Sequence, residues 1–139
     1  MPIHTDLAGH IATITIARPE RRNALNEALL GELDGAITAV APRVRALVLT
    51  GAEGHFCAGA DLTELEDVAF TQHLSGVLDR LASLPIVTVA AISGSCMGLG
   101  MQLAIACDLR VVADDARFAV PVAKLGLMVD YWTLDRVRR

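Results

Sequence analysis

The chain has 139 residues, of which 53% are hydrophobic, 20% charged and 4% aromatic, and its formal net charge is -4. That length fits one domain with one core, and the scarcity of rings requires the core to be built from Ala, Val, Leu and Ile. The composition excludes a disordered chain, the acidic balance argues against a general nucleic-acid binder, and apolar runs such as IVTVAAI fall short of the roughly 20 residues that span a bilayer.

Residues 10–17, HIATITIA, alternate Ile11, Thr13 and Thr15 against Ala12, Ile14 and Ile16, the period of a strand. After Pro19, Asn26 is placed to cap a helix running to about Val40, with Leu29, Leu30, Leu33, Ile37 and Val40 at helical spacing and Pro42 as its stop. RALVLTG at 45–51 is a short apolar run closed by Gly, as expected of a strand buried on both faces. A second helix is predicted over 71–84, with Leu74, Val77, Leu78 and Leu81 on one stripe and Pro85 after it. IVTVAAIS at 86–93 predicts another buried strand, and GSCMGLGMQLA then opens a helix to about Cys107. LRVVAD and ARFAVP predict two further short strands, and WTLDRVRR at 132–139 a terminal amphipathic helix whose arginines face solvent. Strand and helix in alternation call for an α/β layout with helical crossovers and largely buried strands.

Gly94, Gly98 and Gly100 cluster where a strand passes into a helix, and such a helix start offers unpaired N–H groups to an anion or to a carbonyl becoming one. Neither phosphate-loop fingerprint is complete here: GxxxxGK[ST] is missing, and Gly98-Leu99-Gly100 lacks the further Gly of a dinucleotide site. Glycines for close packing are the plain alternative. A second stretch, GHFCAGADLTEL at 54–65, again puts small residues and Gly59 at a strand end, so two turns are available to converge. Cys57, Cys96 and Cys107 lack CxxC spacing and an adjacent His, so they predict packing thiols in a reduced, cytoplasmic setting rather than a metal site or a disulfide framework. His55 is expected to be a surface or strand-end residue rather than a base. The first residues show no basic stretch followed by an apolar run, so no secretory leader is expected.

Taken together, ARPERRNALN (17–26), GHFCAGADLTEL, the run LPIVTVAAISGSCMGLGMQLAIACDLRVVADDARFAVP (84–121) and KLGL (124–127) resemble the enoyl-CoA hydratase/isomerase family, the crotonase superfamily. The resemblance implies a ββα spiral of the ClpP/crotonase type, with residues 1–139 as a single crotonase-like core domain and the family's C-terminal helical trimerisation region not included. It also implies that two backbone N–H groups, those of Ala60 and Leu99, grip the thioester oxygen of a fatty acyl-CoA and stabilise the enolate, each donor being worth roughly 3 to 4 kcal/mol in other oxyanion holes. By the same resemblance Ala58, Ala60, Asp61, Leu62 and Thr63 line the coenzyme A groove, with Arg22 and Ala24 of RRNAL near its nucleotide end. Arg21 or Arg22 then faces a phosphate, or both are ordinary surface charge. The side chain of Asp61 is better read as a helix cap than as a ligand. No metal and no separate cofactor is implied, since coenzyme A arrives as part of the substrate or ligand. Similar proteins form homotrimers or hexamers.

Three departures bear on the chemistry. The family's hydratases split water with two glutamates, and here Gln102 stands at the first position and Val122, inert, at the second. A carboxamide cannot accept a proton at neutral pH, so two-glutamate hydration is not expected. Asp130, where some isomerases of the family carry an Asp, is the candidate acid/base for moving a proton between acyl carbons; a turn or helix-cap role is the alternative. Tyr131 and Trp132 replace the usual small residues. The expectation is therefore an acyl-CoA enzyme with isomerase-like chemistry, or else a catalytically silent acyl-CoA-binding protein of the same fold, a non-functional fragment being the third possibility.

Overall fold

The computed structural model describes residues 2–60 and 68–119. Strands β1 (Ile3–Ala8) and β2 (Ile11–Ile16) form an antiparallel hairpin in which Ile3 faces Ile16 and Ala8 faces Ile11. β2 is the expected early strand, whereas β1 has no counterpart among the predicted elements. Five of its six residues are exposed, so no hydrophobic alternation marks it, and the ladder to β2 is what holds it.

Helix α1 (Glu27–Val40) begins as predicted: the Asn26 side chain accepts a hydrogen bond from the Leu29 N–H at 2.9 Å, satisfying one of the donors a helix start leaves unpaired. Its buried residues are the predicted stripe, Leu29, Leu30, Leu33, Ile37 and Val40. A short 3-10 turn over Ala41–Arg43, with Pro42 inside it, closes the helix. β3 (Ala46–Gly51), α2 (Val68–Ser83) and β4 (Val87–Ile92) follow. α2 starts earlier than its periodicity predicts and buries Phe70 with Val77, Leu78 and Leu81, while Leu74 packs at the margin. The chain then makes β5 (Ser95–Met97), α3 (Leu99–Ala106), β6 (Leu109–Val112) and β7 (Arg117–Ala119).

The main sheet has the order β1-β2-β3-β4-β6 and is parallel from β2 onward; β5 and β7 pair in parallel as a separate small sheet. Each parallel step is bridged by a helix, as parallel neighbours require. The strands expected to be buried on both faces bury only one. Ala12, Leu47 and Thr88 form one register row and Ile14, Leu49 and Ala90 the next, all buried, and the five apolar members pack into one cluster with the helix stripes. Burial of each such Leu or Ile side chain contributes about 1.5 to 3 kcal/mol. Among the described residues the helices pack on that face, and the intervening residues are half-buried or, at Ile11 and Val87, exposed. β6 departs further from the expectation, with all four residues exposed at the sheet edge.

Thr50 of β3 lies beside Ala91 of β4, so the carboxyl ends of these two parallel strands are neighbours. The turns that follow them leave the sheet side by side, at the end of a parallel sheet where ligands characteristically bind. The helix predicted over 132–139 lies outside the described residues.

Candidate active site

The first turn, residues 51–60, is held from below by the segment RRNAL. Asn23 is completely buried and adopts a left-handed backbone, φ 65°, a conformation in which Asn is tolerated better than most residues. Its side-chain oxygen accepts from the Arg18 N–H at 2.8 Å, and its amide donates to the carbonyls of Ala52 at 3.0 Å and His55 at 2.7 Å. On either side of Asn23, the Arg22 carbonyl accepts from the Ala58 N–H at 3.0 Å and the Leu25 N–H donates to the Gly59 carbonyl at 2.9 Å. The turn carrying Ala58 and Ala60 is thereby fastened to the loop carrying Arg22 and Ala24. Asn23 is a site-building residue that the sequence does not announce. Its only local signal is an Asn in a turn, because the partners that give it a role lie about thirty positions away in the chain.

The second turn, residues 93–100, is zipped to the first by backbone. Phe56 N–H donates to the Ser93 carbonyl at 2.8 Å, Cys57 N–H to the Ser95 carbonyl at 3.0 Å, and Met97 N–H to the Cys57 carbonyl at 3.0 Å. β5 therefore precedes the helix, where the sequence predicted a direct passage from turn to helix. Gly98 caps α3 and donates its N–H to the Ala119 carbonyl of β7 at 2.8 Å.

Glycine is required wherever the turns touch: at Gly94 a Cβ would run into the Gly54 carbonyl, and two further glycines lie beside Ala60 and Leu99. At Gly100 a Cβ would run into the Cys57 carbonyl, so the first turn of α3 lies directly on the backbone of the other turn. At Gly59 the backbone has φ +115°, and a Cβ would sit 3.1 Å from the Met97 carbonyl oxygen and 3.8 Å from the Leu99 nitrogen. The residue before Ala60 thus abuts the backbone at Leu99. Among the described residues neither the Ala60 N–H nor the Leu99 N–H donates a hydrogen bond, and the latter belongs to the first turn of a helix, where no intrahelical partner exists.

Among the described residues, the packing beside this pair includes Leu99, Cys57 and Cys96, all buried. The Leu99 side chain is 4% exposed and packs in the core. Cys57 and Cys96 face each other across the two turns, and burial pushes both thiols from the ordinary 9.0 up to about 12. They are neutral, enclosed packing groups, as their lack of a neighbouring base predicts. Gln102 sits in the first turn of α3, half-buried, with its N–H bonded to the Gly98 carbonyl at 3.1 Å. Arg21 and Arg22 are exposed. Among the described residues no group of three or more His, Cys, Asp and Glu side chains could hold a metal ion, and no helix is long and apolar enough to cross a membrane. Asp61, Leu62, Thr63, Val122, Asp130, Tyr131 and Trp132 lie outside the described residues.

Comparison with known proteins agrees with this geometry. The enoyl-CoA hydratase/isomerase family model matches residues 6–139. A Mycobacterium tuberculosis protein named probable enoyl-CoA hydratase echA6 is 45% identical over 129 residues, covering 91% of this chain and 53% of that protein. The bovine mitochondrial enoyl-CoA hydratase domain-containing protein 2 is 39% identical over 127 residues, 85% of this chain and 43% of the relative. Among solved structures, an enoyl-CoA hydratase/carnithine racemase from Magnetospirillum magneticum superposes with a TM-score of 0.92 at 32% identity, covering all of this chain and 56% of that one. The chain spans about half the length of the curated relatives it matches. With its parallel sheet, crossover helices and paired glycine turns, it is an α/β protein of the crotonase type and belongs to the enoyl-CoA hydratase/isomerase family.

Proposed function

We propose that the protein acts on fatty acyl-CoA thioesters, with the N–H groups of Ala60 and Leu99 receiving the thioester oxygen. The observation that carries this reading is the pair of free N–H groups on two turns that abut at Gly59. A carbonyl oxygen between two such donors gains most when it becomes an enolate oxygen, because the charge then develops against dipoles already in place. The buried apolar packing of Leu99 and the neutral thiols beside it supports that interaction by lowering the local dielectric.

Isomerase-like chemistry suits the site better than hydration. Gln102 offers a carboxamide where a water-splitting pair would need a carboxylate, and Val122 offers nothing to a proton. Asp130 then serves as the acid/base, taking a proton from the carbon beside the thioester carbonyl and returning it further along the chain while the oxygen stays gripped. The same reading has Asp61, Leu62 and Thr63 in the coenzyme A groove, Arg22 toward the phosphates, and the protein at work in the cytoplasm as a homotrimer or hexamer. Turnover of a 3-enoyl-CoA by wild type and by Asp130→Asn tests the assignment. Wild-type turnover lost in the variant is the expected outcome, and unchanged activity in the variant removes Asp130 from the chemistry.

Gln102 also favours a second reading, a protein that grips acyl-CoA without transforming it. Tight calorimetric binding with no product in hydratase, isomerase or thioesterase assays is its expected signature, and clear turnover eliminates it.

A further inference from the structure

The pairing of the two turns leaves the regular parallel pattern at one rung. Around Cys57 the rung is regular, with Cys57 N–H on the Ser95 carbonyl and Met97 N–H on the Cys57 carbonyl. Two residues earlier the same pattern would send the Ser95 N–H to the His55 carbonyl. That carbonyl accepts instead from Asn23 Nδ2 at 2.7 Å, and the Ser95 N–H donates to the His55 imidazole, at Nδ1, over 3.0 Å. Ser95 is 1% exposed, so its N–H must find a partner inside the protein. An imidazole that accepts at Nδ1 is neutral and carries its proton on Nε2. One histidine therefore ties together three segments: its carbonyl holds the RRNAL loop and its ring holds β5.

We propose that His55 is a positioning residue, whose Nδ1 supplies the missing rung and so fixes the separation between the Ala60 and Leu99 N–H groups. The proposal rests on the reading of those two groups as the grip on the thioester oxygen. His55 and Ala60 share one short turn, and Ser95 enters the strand that delivers Leu99 to the helix start. Without an acceptor at Nδ1 the buried Ser95 N–H is left unpaired, and the second turn shifts to find water or another carbonyl. A shift of this size at a two-donor site weakens both contacts to a shared oxygen while leaving the rest of the groove in place.

The test compares His55→Asn, whose Oδ1 hangs from Cγ as Nδ1 does, with His55→Leu, which has no acceptor. Dissociation constants are measured for an acyl-CoA and for free coenzyme A, which has no thioester carbonyl. The expected result is that His55→Leu loses about tenfold in acyl-CoA affinity with less than about a twofold change for coenzyme A, and that His55→Asn stays within about threefold of wild type. His55→Leu binding acyl-CoA as tightly as wild type, or His55→Asn failing as badly as His55→Leu, overturns the proposal. A wild-type protein that binds acyl-CoA no better than coenzyme A defeats the oxygen-grip reading itself, and the proposal with it, before any substitution is made. Should His55→Leu not fold, the wild-type protein carries the test by nuclear magnetic resonance. An unprotonated Nδ1 on His55 and a slowly exchanging Ser95 amide are expected, and a proton on Nδ1 or a freely exchanging amide overturns the assignment.

Discussion

Helices α1 and α2 are joined at their exposed rim by side chains, whereas the turns at 51–60 and 93–100 are joined by backbone. At the rim, Arg80 grips Asp34 through two hydrogen bonds of 2.8 and 2.7 Å, and His73 Nδ1 lies 2.9 Å from Glu27. Water reaches the more exposed side chain of each pair, Arg80 and Glu27, and competes for the link. Between the turns, carbonyls and N–H groups meet in the interior, where glycine leaves room for one backbone to lie on another. A surface link of the first kind tolerates change because water substitutes for the partner. A link of the second kind does not, because neither the space nor the hydrogen bond has a substitute.

Adding one methyl group to each region gives the largest contrast. In Gly100→Ala the new Cβ meets the Cys57 carbonyl, a backbone group that cannot move without breaking the Met97 hydrogen bond. Overpacking of this kind costs about 3 kcal/mol or more, so the variant is expected to unfold at markedly lower urea or to fail to accumulate. In Gly35→Ala, on the exposed side of α1, a Cβ meets nothing within 4 Å, and the gain in helix propensity stabilises by about 0.5 to 1 kcal/mol. Equal effects from the two substitutions would break the contrast between the regions.

The second difference is visible in alkali. Cys57 and Cys96 have folded pKa values pushed up to about 12 from 9.0, with burial as the leading cause in both. A group whose folded pKa is raised contributes its full stability below the unfolded value and loses it as pH climbs toward the folded value. Stability is therefore expected to fall between pH 9 and pH 12 through these two thiols, and less steeply in Cys96→Ala when its own unfolding curve is followed over the same range. At neutral pH both thiols are expected to resist alkylation until the protein is unfolded. Rapid labelling of folded protein would show that the turns open easily and that the backbone zipper is weak.

Legibility in the sequence follows the same division between local and distant causes. The limits and buried stripe of α1 are readable because the Asn26 cap, the leucine spacing and Pro42 all act within the helix. β1 is not readable, because Ile3 alone of its residues is buried and its order comes from β2. β5 is three residues long and exists through its pairing with β7 and Cys57, so its sequence, Ser-Cys-Met, has too little periodicity to announce a strand. The exposure of β6 is not readable, because Leu109, Val111 and Val112 read as buried wherever they stand, although Arg110 between them is charged. At the site, the glycines and the family resemblance mark the turns, yet Asn23 and His55 act on partners 29 to 40 residues away, and no local pattern encodes those bonds.

The smallest effect is expected where the surface link looks strongest. Arg80 makes two short, parallel hydrogen bonds to Asp34, and His73 Nε2 lies 3.7 Å from the same carboxylate. Yet the Arg80 side chain is 50% exposed, so water and salt compete with it, and holding a long side chain in one geometry costs rotamer entropy. The apolar contact beneath, with Leu33 and Ile37 of α1 and Val77, Leu78 and Leu81 of α2 in one core cluster, does not depend on the pair. Arg80→Ala is expected to cost less than about 1 kcal/mol in urea unfolding, and the difference from wild type is expected to shrink further at about 1 M salt, where screening acts within about 3 Å. A cost above about 2 kcal/mol, unchanged by salt, would place this rim with the buried networks and remove the distinction between the two junctions.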